Sequence, residues 1–419
     1  MSVGSEVQRE EPTDLLAPRE GTPPPLTTQD ELDRLCERMA AGRGPVAIDA
    51  ERASGYRYSQ RAYLVQLRRT GSGTALVDPT ELPDLSGLGE VLADAEWVLH
   101  AANQDLPCLA EVGMAPRTLF DTELAGRLTG FERVGLATMV REVLGLNLEK
   151  GHSAANWSTR PLPPEWLTYA ALDVEVLIEL RDALDAELTA QGKRDWAAQE
   201  FAALVDAGPP TPRIDPWRRT SGIHKLRSRR QLASVRELWQ ARDDVARRRD
   251  IAPGRILPDA AIIAAATADP GSPAELQEMR TYGGRANRRM VGTWFGALER
   301  ARLVPAAELP PVSLLSDAPP PPSRWGEREP AAAARLSAAR AALAELSEQT
   351  GVPVENLLLP DLVRRLMWSP PEAADEQSVA DVLAAGGARR WQIELTADRL
   401  SAALEPPPPA APTPAVTDQ

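Results

Sequence analysis

The sequence predicts an α/β domain built on a mixed sheet and followed by all-helical modules. Three observations carry that reading. Short strand-like runs come first, at Val46 to Ile48, Ala62 to Leu67, Thr74 to Asp78, Trp97 to His100 and Leu119 to Thr122, with helical periodicity interleaved among them. Beyond Glu200 no strand pattern recurs and the chain reads as helix. Its 419 residues, 43% of them hydrophobic, suffice for two or three domains with cores of their own.

The elements follow in order. Thr27-Thr28-Gln29-Asp30-Glu31 has the form of a capping box and opens an amphipathic helix over 27–43. Val46 to Ile48 is a short apolar run suited to a buried strand, and the next two strands alternate in the period of a sheet. Helices are expected at about 103–112, 122–128, 135–144 and 165–188. The segment 218–297 reads as a helical bundle, with a long basic helix over Gln231–Arg249, a helix started by Ile256-Leu257-Pro258-Asp259, and another at Ser272-Pro273. Residues 331–404 repeat the plan: Leu358-Leu359-Pro360-Asp361 echoes the first Pro-Asp start, which points to a duplicated module. The 39 prolines cluster before residue 25, near 305–322 and after Glu405. Such composition disfavours a packed core. The expected organisation is therefore a disordered tail over 1–25, an α/β domain over 26–205, a helical domain over 215–297, a Pro-rich linker over 298–330, a second helical domain over 331–404, and a disordered tail over 405–419.

Composition excludes several chemistries. Only Cys36 and Cys108 are present, without a CxxC, so a thiolate zinc site and a disulfide framework are not expected, and a reducing cytoplasm is the natural compartment. The three histidines, His100, His152 and His224, argue against a histidine-ligated metal. No run approaches the roughly eighteen apolar residues that span a bilayer, and Met1 to Glu20 lacks the apolar core of a signal peptide. The net charge of −13 is uneven: residues 213–302 carry nineteen Lys and Arg against ten Asp and Glu, leaving that segment at +9 and the rest at −22. A basic module on an acidic body is the electrostatic footprint of a polyanion partner.

The chemistry centres on carboxylates. Asp49 and Glu51, one residue apart on a strand, point to the same face and repel unless a cation lies between them. Hard divalent ions take such oxygen ligands and suit phosphate chemistry. Tyr169 and Asp173 share one helical face at i and i+4, and Ala170-Ala171 between them lets that helix lie close to a sheet. Asp105 follows a strand end, where catalytic side chains of α/β sheets emerge, with Asp121 as a rival acid. His100, at a strand end, reads as a structural histidine. Lys150 and His152 lie on the loop before Tyr169 and either reach phosphate or are solvated, Arg160 either braces that loop or pairs with phosphate, and Trp157 is a candidate to stack a base. Arg227, Arg229, Arg230, Arg247, Arg248 and Arg249 read as RNA-backbone contacts rather than an ordinary solvated face, because bases outnumber acids around them.

Together these segments resemble the three motifs of the DEDD superfamily of 3′→5′ exonucleases, in its tyrosine-bearing branch. The run from Lys150-Gly151-His152-Ser153 through Asn156-Trp157-Ser158-Thr159-Arg160-Pro161-Leu162 to Tyr169-Ala170-Ala171-Leu172-Asp173 is similar to ribonuclease D, and the first helical module resembles the HRDC domain. Asn156 stands where that family often has an acid. The resemblance implies a ribonuclease H-like exonuclease fold, with two Mg²⁺ or Mn²⁺ ions held by Asp49, Glu51, Asp105 and Asp173, and Tyr169 bonded to the attacking water or scissile phosphate. It implies trimming of the 3′ ends of structured RNA such as tRNA precursors, with release of nucleoside 5′-monophosphates, and neither a membrane nor an obligate protein partner. The second helical module is HRDC-like in plan. The alternatives are a DNA exonuclease of the same superfamily and a non-catalytic RNA-binding protein.

Overall fold

The computed structural model describes residues 11–148, 151–152, 154–208, 211, 213–313 and 318–405. In chain order the α/β part contains β1 (Thr13–Leu15), β2 (Pro25–Leu26), α1 (Gln29–Ala41), β3 (Arg43–Arg52), β4 (Ala62–Thr70), β5 (Gly73–Val77), α2 (Ser86–Val91), β6 (Glu96–Leu99), α3 (Leu106–Glu111), β7 (Thr118–Asp121), α4 (Thr122–Thr129), α5 (Leu136–Leu144), β8 (Leu146–Leu148), α6 (Pro164–Glu175), α7 (Leu177–Ala190) and α8 (Arg194–Asp206). Six strands form one mixed sheet in the order β2-β5-β4-β3-β6-β7. β3 lies antiparallel to β4 and parallel to β6.

Strand alternation decides what each face of β3 meets. Val46, Ile48 and Ala50 join the core under α1, α2 and α3, whereas Ala47 joins the opposite core under α4, α5, α7 and α8. Asp49 and Glu51 continue the Ala47 face. Across the ladder, Asp49 pairs with Gln66 and Glu51 with Leu64. The capping box expected at Thr28 is present, with the Glu31 side chain accepting from Thr28 N.

Two expectations are corrected here. The helix read over 165–188 is two helices, α6 and α7, separated at Val176. α6 lies on β3, β4 and β5, while α7 turns to α4, β3 and β6, so one straight rod could not serve both. The tail expected over 1–25 falls partly outside the described residues, at 1–10, but 11–25 is docked. β1 pairs in parallel with β8, β2 with β5, and Arg19 bonds Glu179 while its backbone N–H reaches the buried Glu175. Ladder and ion-pair contacts hold this segment, and composition does not register them. The C-terminal tail expected over 405–419 lies outside the described residues from 406 onward.

The first helical module comprises α9 (Arg229–Arg249), α10 (Pro253–Ile256), α11 (Asp259–Ala268), α12 (Pro273–Glu278), α13 (Arg285–Arg289) and α14 (Val291–Leu303), so its last helix runs beyond residue 297. The second comprises α15 (Trp325–Arg328), α16 (Pro330–Thr350), α17 (Val354–Leu357), α18 (Pro360–Trp368), α19 (Glu376–Ala385) and α20 (Arg390–Leu404). Its Trp325, inside the segment read as linker, is fully buried in the module core. Both modules contain, in the same order, a 21-residue helix, a four-residue helix and a Pro-Asp helix start, preceded in the second by α15.

The modules dock differently. The second merges with the α/β core: Leu346, Val352, Leu357 and Trp391 belong to the cluster under α4, α5, α7 and α8. Trp391 stacks on Trp196 with centroids 4.9 Å apart and donates to Glu200 Oε1 at 3.0 Å. The first module grips the loop between β3 and β4: Tyr58 donates to Asp243 at 3.1 Å, Ser59 N to Asp250 at 2.8 Å, and Arg255 to the Gly55 carbonyl at 2.7 Å. No helix among the described residues is long and apolar enough to cross a membrane.

Candidate active site

Asp49 and Glu51 leave the end of β3 on one face, and α6 lays Asp173 over them. Carboxylate oxygens of Asp49, Glu51 and Asp173 all lie within 4.8 Å of one another. The close approach of α6 has the basis read from sequence: Ala170 and Ala171 are fully buried against Tyr63, Leu64 and Leu76. Asp105 enters from beyond β6, outside that group of three but close enough for the charge of Asp49 to raise its pKa, after burial. Three of the four acids converge, and Asp105 lies beside them. Tyr169 lies one turn before Asp173, and burial and then the Asp173 charge push its hydroxyl pKa up.

The rival acid has a different task. Asp121 accepts from the backbone N–H groups of Ala101, Ala102, Glu123 and Leu124, at 2.8 to 3.1 Å. It caps α4 and at once pins the turn at Ala101, whose φ is +58°, that brings Asp105 back to the site. Its oxygens are spent on that work, so it is not available as a ligand.

The electrostatics match an unneutralised cluster. Burial, and then the charges of Asp49, Asp173 and Asp105, push Glu51 well above the usual carboxylate range. Asp105 is pushed up to about 8, by burial first and then by Asp49. Burial first, and then Asp49, raises Asp173. Gln66 donates to Asp49 Oδ2 at 3.3 Å, and its own buried Oε1 has no partner among the described residues. Gln66 and Arg52 were not singled out in the sequence, although Gln66 sits opposite Asp49 in the ladder. Hard oxygen donors at this spacing, held on rigid elements, fit divalent cations.

Other candidates fall into place. His100 Nδ1 lies 2.9 Å from Thr122 Oγ1, and burial pulls its pKa down to about 4, as befits a structural histidine. His152 sets its ring edge-on to Tyr169 with centroids 5.9 Å apart. Lys150 lies outside the described residues. Trp157 is fully buried beneath Trp166 and Tyr169, so it cannot stack a base. Arg160 is corrected from phosphate candidate to brace. Its five N–H groups are all engaged, two with Asp78 at 2.6 and 2.7 Å and three with the carbonyls of Trp157, Thr159 and Tyr63 at 2.7 to 2.8 Å.

The six arginines of the first module divide similarly. Arg230 donates to the carbonyls of Ala301, Arg302 and Val304 at the end of α14, and Arg229 to those of Leu309 and Pro310. Those two serve the fold rather than a solvent face. Arg247 pairs with Asp243 and lies over the Tyr58 ring, and Arg227 bonds the His224 carbonyl. Arg248 and Arg249 are exposed and unpaired among the described residues, as are Arg280, Arg285, Arg288 and Arg289, which the sequence reading passed over.

Comparison with known proteins places these features in context. Residues 24–189 match the family described as 3′-5′ exonuclease, 231–298 the HRDC domain, and 318–404 the family described as 3′ to 5′ exonuclease C-terminal domain. Ribonuclease D of Acidiphilium cryptum is 33% identical over 312 residues, 71% of this chain and 77% of that protein. Ribonuclease D of Escherichia coli is 32% identical over 301 residues, 70% of this chain and 79% of that one. A solved protein from Bifidobacterium adolescentis is similar with a TM-score of 0.88 at 38% identity, covering 94% of this chain and 100% of its own. The structure of the E. coli enzyme, described as an exoribonuclease involved in structured RNA processing, is similar with a TM-score of 0.67 at 28% identity, covering 91% and 98%.

Proposed function

The chain belongs to the ribonuclease D family and is a 3′–5′ exoribonuclease; on that premise we propose that it trims the 3′ ends of structured RNA, tRNA precursors among them, by hydrolysis assisted by two divalent cations. The observation that carries this reading is the convergence of Asp49, Glu51 and Asp173 within 4.8 Å, with Asp105 in the field of Asp49. The four carboxylates would hold two Mg²⁺ or Mn²⁺ ions, which supply charge neutralisation at the phosphate and ease deprotonation of water.

This chain's own groups do the rest. Tyr169, carried on α6 beside Asp173, orients the attacking water or the scissile phosphate by its hydroxyl. The water oxygen bonds to phosphorus, the P–O3′ bond to the penultimate nucleotide breaks, and that 3′ oxygen takes a proton from solvent. A nucleoside 5′-monophosphate leaves, and the shortened RNA keeps a 3′ hydroxyl. The first helical module holds the RNA body through Arg248, Arg249, Arg280, Arg285, Arg288 and Arg289, whose guanidinium groups have no acid partner.

A 5′-labelled tRNA precursor incubated with Mg²⁺ should shorten one nucleotide at a time, and chelator or Asp49→Asn should stop it. A DNA exonuclease would instead degrade the matched deoxyoligonucleotide as fast as the RNA. A ladder that persists in chelator would defeat the metal-assisted scheme.

A further inference from the structure

We infer that Arg52 is a phosphate-binding residue of the active site, gripping the 5′ phosphate of the terminal nucleotide opposite the carboxylates. The inference rests on the exonuclease reading above and adds a cation to a site otherwise described only by its acids.

The backbone supplies the first argument. Along β3, alternation sends Arg52, the last residue of the strand, to the same side as Val46, Ile48 and Ala50, the side on which α3 packs. The ladder with β4 slips where Glu51 pairs with Leu64 and Arg52 with Ala62, but the extra residue is Tyr63 on β4, so Arg52 keeps its place in the alternation of β3. There the Arg52 side chain reaches the start of α3, with its guanidinium 3.5 Å from the Asp105 carboxylate.

The second argument is a count of donors. A guanidinium carries five N–H groups. Arg160 spends all of its own on Asp78 and three carbonyls. Arg52 has one long ion contact, and its side chain remains 26% exposed. Its positive charge pulls Asp49, Glu51 and Asp105 toward ionisation, which places it in the field of three of the four acids. Once cations share the Asp105 carboxylate, the pull of Asp105 on Arg52 weakens and the planar fork is available to the next anion. The incoming anion is a phosphodiester, the group that fork matches best.

The test compares adenosine 5′-monophosphate, a reaction product, with adenosine in calorimetric titrations at saturating Mg²⁺. Wild type, Arg52→Lys and Arg52→Gln are measured side by side. For Arg52→Gln the monophosphate affinity should fall at least about tenfold, the loss of a charge-assisted bond, with partial recovery in Arg52→Lys and adenosine affinity unchanged. Equal losses for both ligands, or a loss that vanishes as Mg²⁺ is raised, would mean that Arg52 only braces Asp105, and the inference is overturned. If wild type itself does not prefer the monophosphate to the nucleoside, the reading of the site fails and takes Arg52 with it.

Discussion

Removing one catalytic acid should make the metal-free protein more stable. In Asp49→Asn the cluster loses a charge whose oxygens sit within 4.8 Å of two other carboxylates. At that separation and an effective dielectric of ~20, each fully ionised pair costs about 3.5 kcal/mol. The alternative for the fold is to keep a proton. With Asp105 pushed up to about 8, retaining it near neutrality costs about 4 kcal/mol against an ordinary carboxyl. The two routes bound the same strain, and solvent relaxation leaves an expected gain of roughly 2 kcal/mol, or about 4–8 °C in melting temperature for a domain of this size. The new amide is accommodated, because Gln66 has an unpartnered buried oxygen beside it. The sign with pH is determined. A carboxyl raised in the folded state contributes stability below its unfolded pKa and loses it as pH rises through the folded value. The advantage of Asp49→Asn in chelator should therefore grow from about pH 5 to about pH 8. Excess Mg²⁺ or Mn²⁺ should stabilise wild type more than the variant, narrowing or reversing the order. Melting curves in chelator across that range are the assay. A variant no more stable than wild type at the alkaline end, or a gain independent of pH, would refute the picture of a repelling cluster.

Three further outcomes follow. Arg160→Ala strands Asp78, whose side chain is 4% exposed, and should cost about 3–5 kcal/mol in denaturant unfolding while leaving the salt dependence of RNA binding by the folded protein unchanged. Tyr169→Phe keeps the ring packed against Trp157 and His152 and should lower kcat about a hundredfold, with KM and melting temperature near wild type. Replacing Arg285, Arg288 and Arg289 together by Gln should weaken binding of structured RNA and reduce the slope of log affinity against log salt by about 2, as filter binding would measure.

The acids were readable in the sequence because each sits in a local pattern with a physical meaning. Asp49 and Glu51 are one residue apart on a strand, and Tyr169 and Asp173 one turn apart on a helix. What local pattern could not reveal was how donors are spent at a distance. Arg160 and Arg52 are both arginines close in sequence to motif residues. Asp78, which occupies Arg160, lies 82 positions away, and Asp105, which Arg52 meets, comes from beyond β6. The docked segment 11–25 escaped for the same reason, since its anchors Glu175 and Glu179 are some 160 positions distant. Trp391 offered no sign that its partner would be Trp196 rather than its own module.

The placement of the first helical module has a consequence for how holding and cutting are joined. β3 carries Asp49 and Glu51, passes Arg52, and within a few residues enters the loop that the module grips at Gly55, Tyr56, Tyr58 and Ser59. The Ala252 N–H closes on the Tyr56 carbonyl at 2.9 Å, so backbone meets backbone there. On the module side the contacts come from Asp243 and Asp250 near the end of α9, and from α10. The basic helix that reads as an RNA holder is therefore fastened, at its C-terminal turn, to the loop that leaves the catalytic strand. The exposed Arg248 and Arg249 lie within a turn of Asp250, which accepts from Ser59 N, so RNA bound there would sit next to that fastening. Loss of the module would thus remove more than a binding surface: it would strip the partners from the loop that follows Arg52. Reduced turnover in a truncated chain therefore reports on the geometry of the site as well as on affinity, and only a comparison on mononucleotide product binding separates the two.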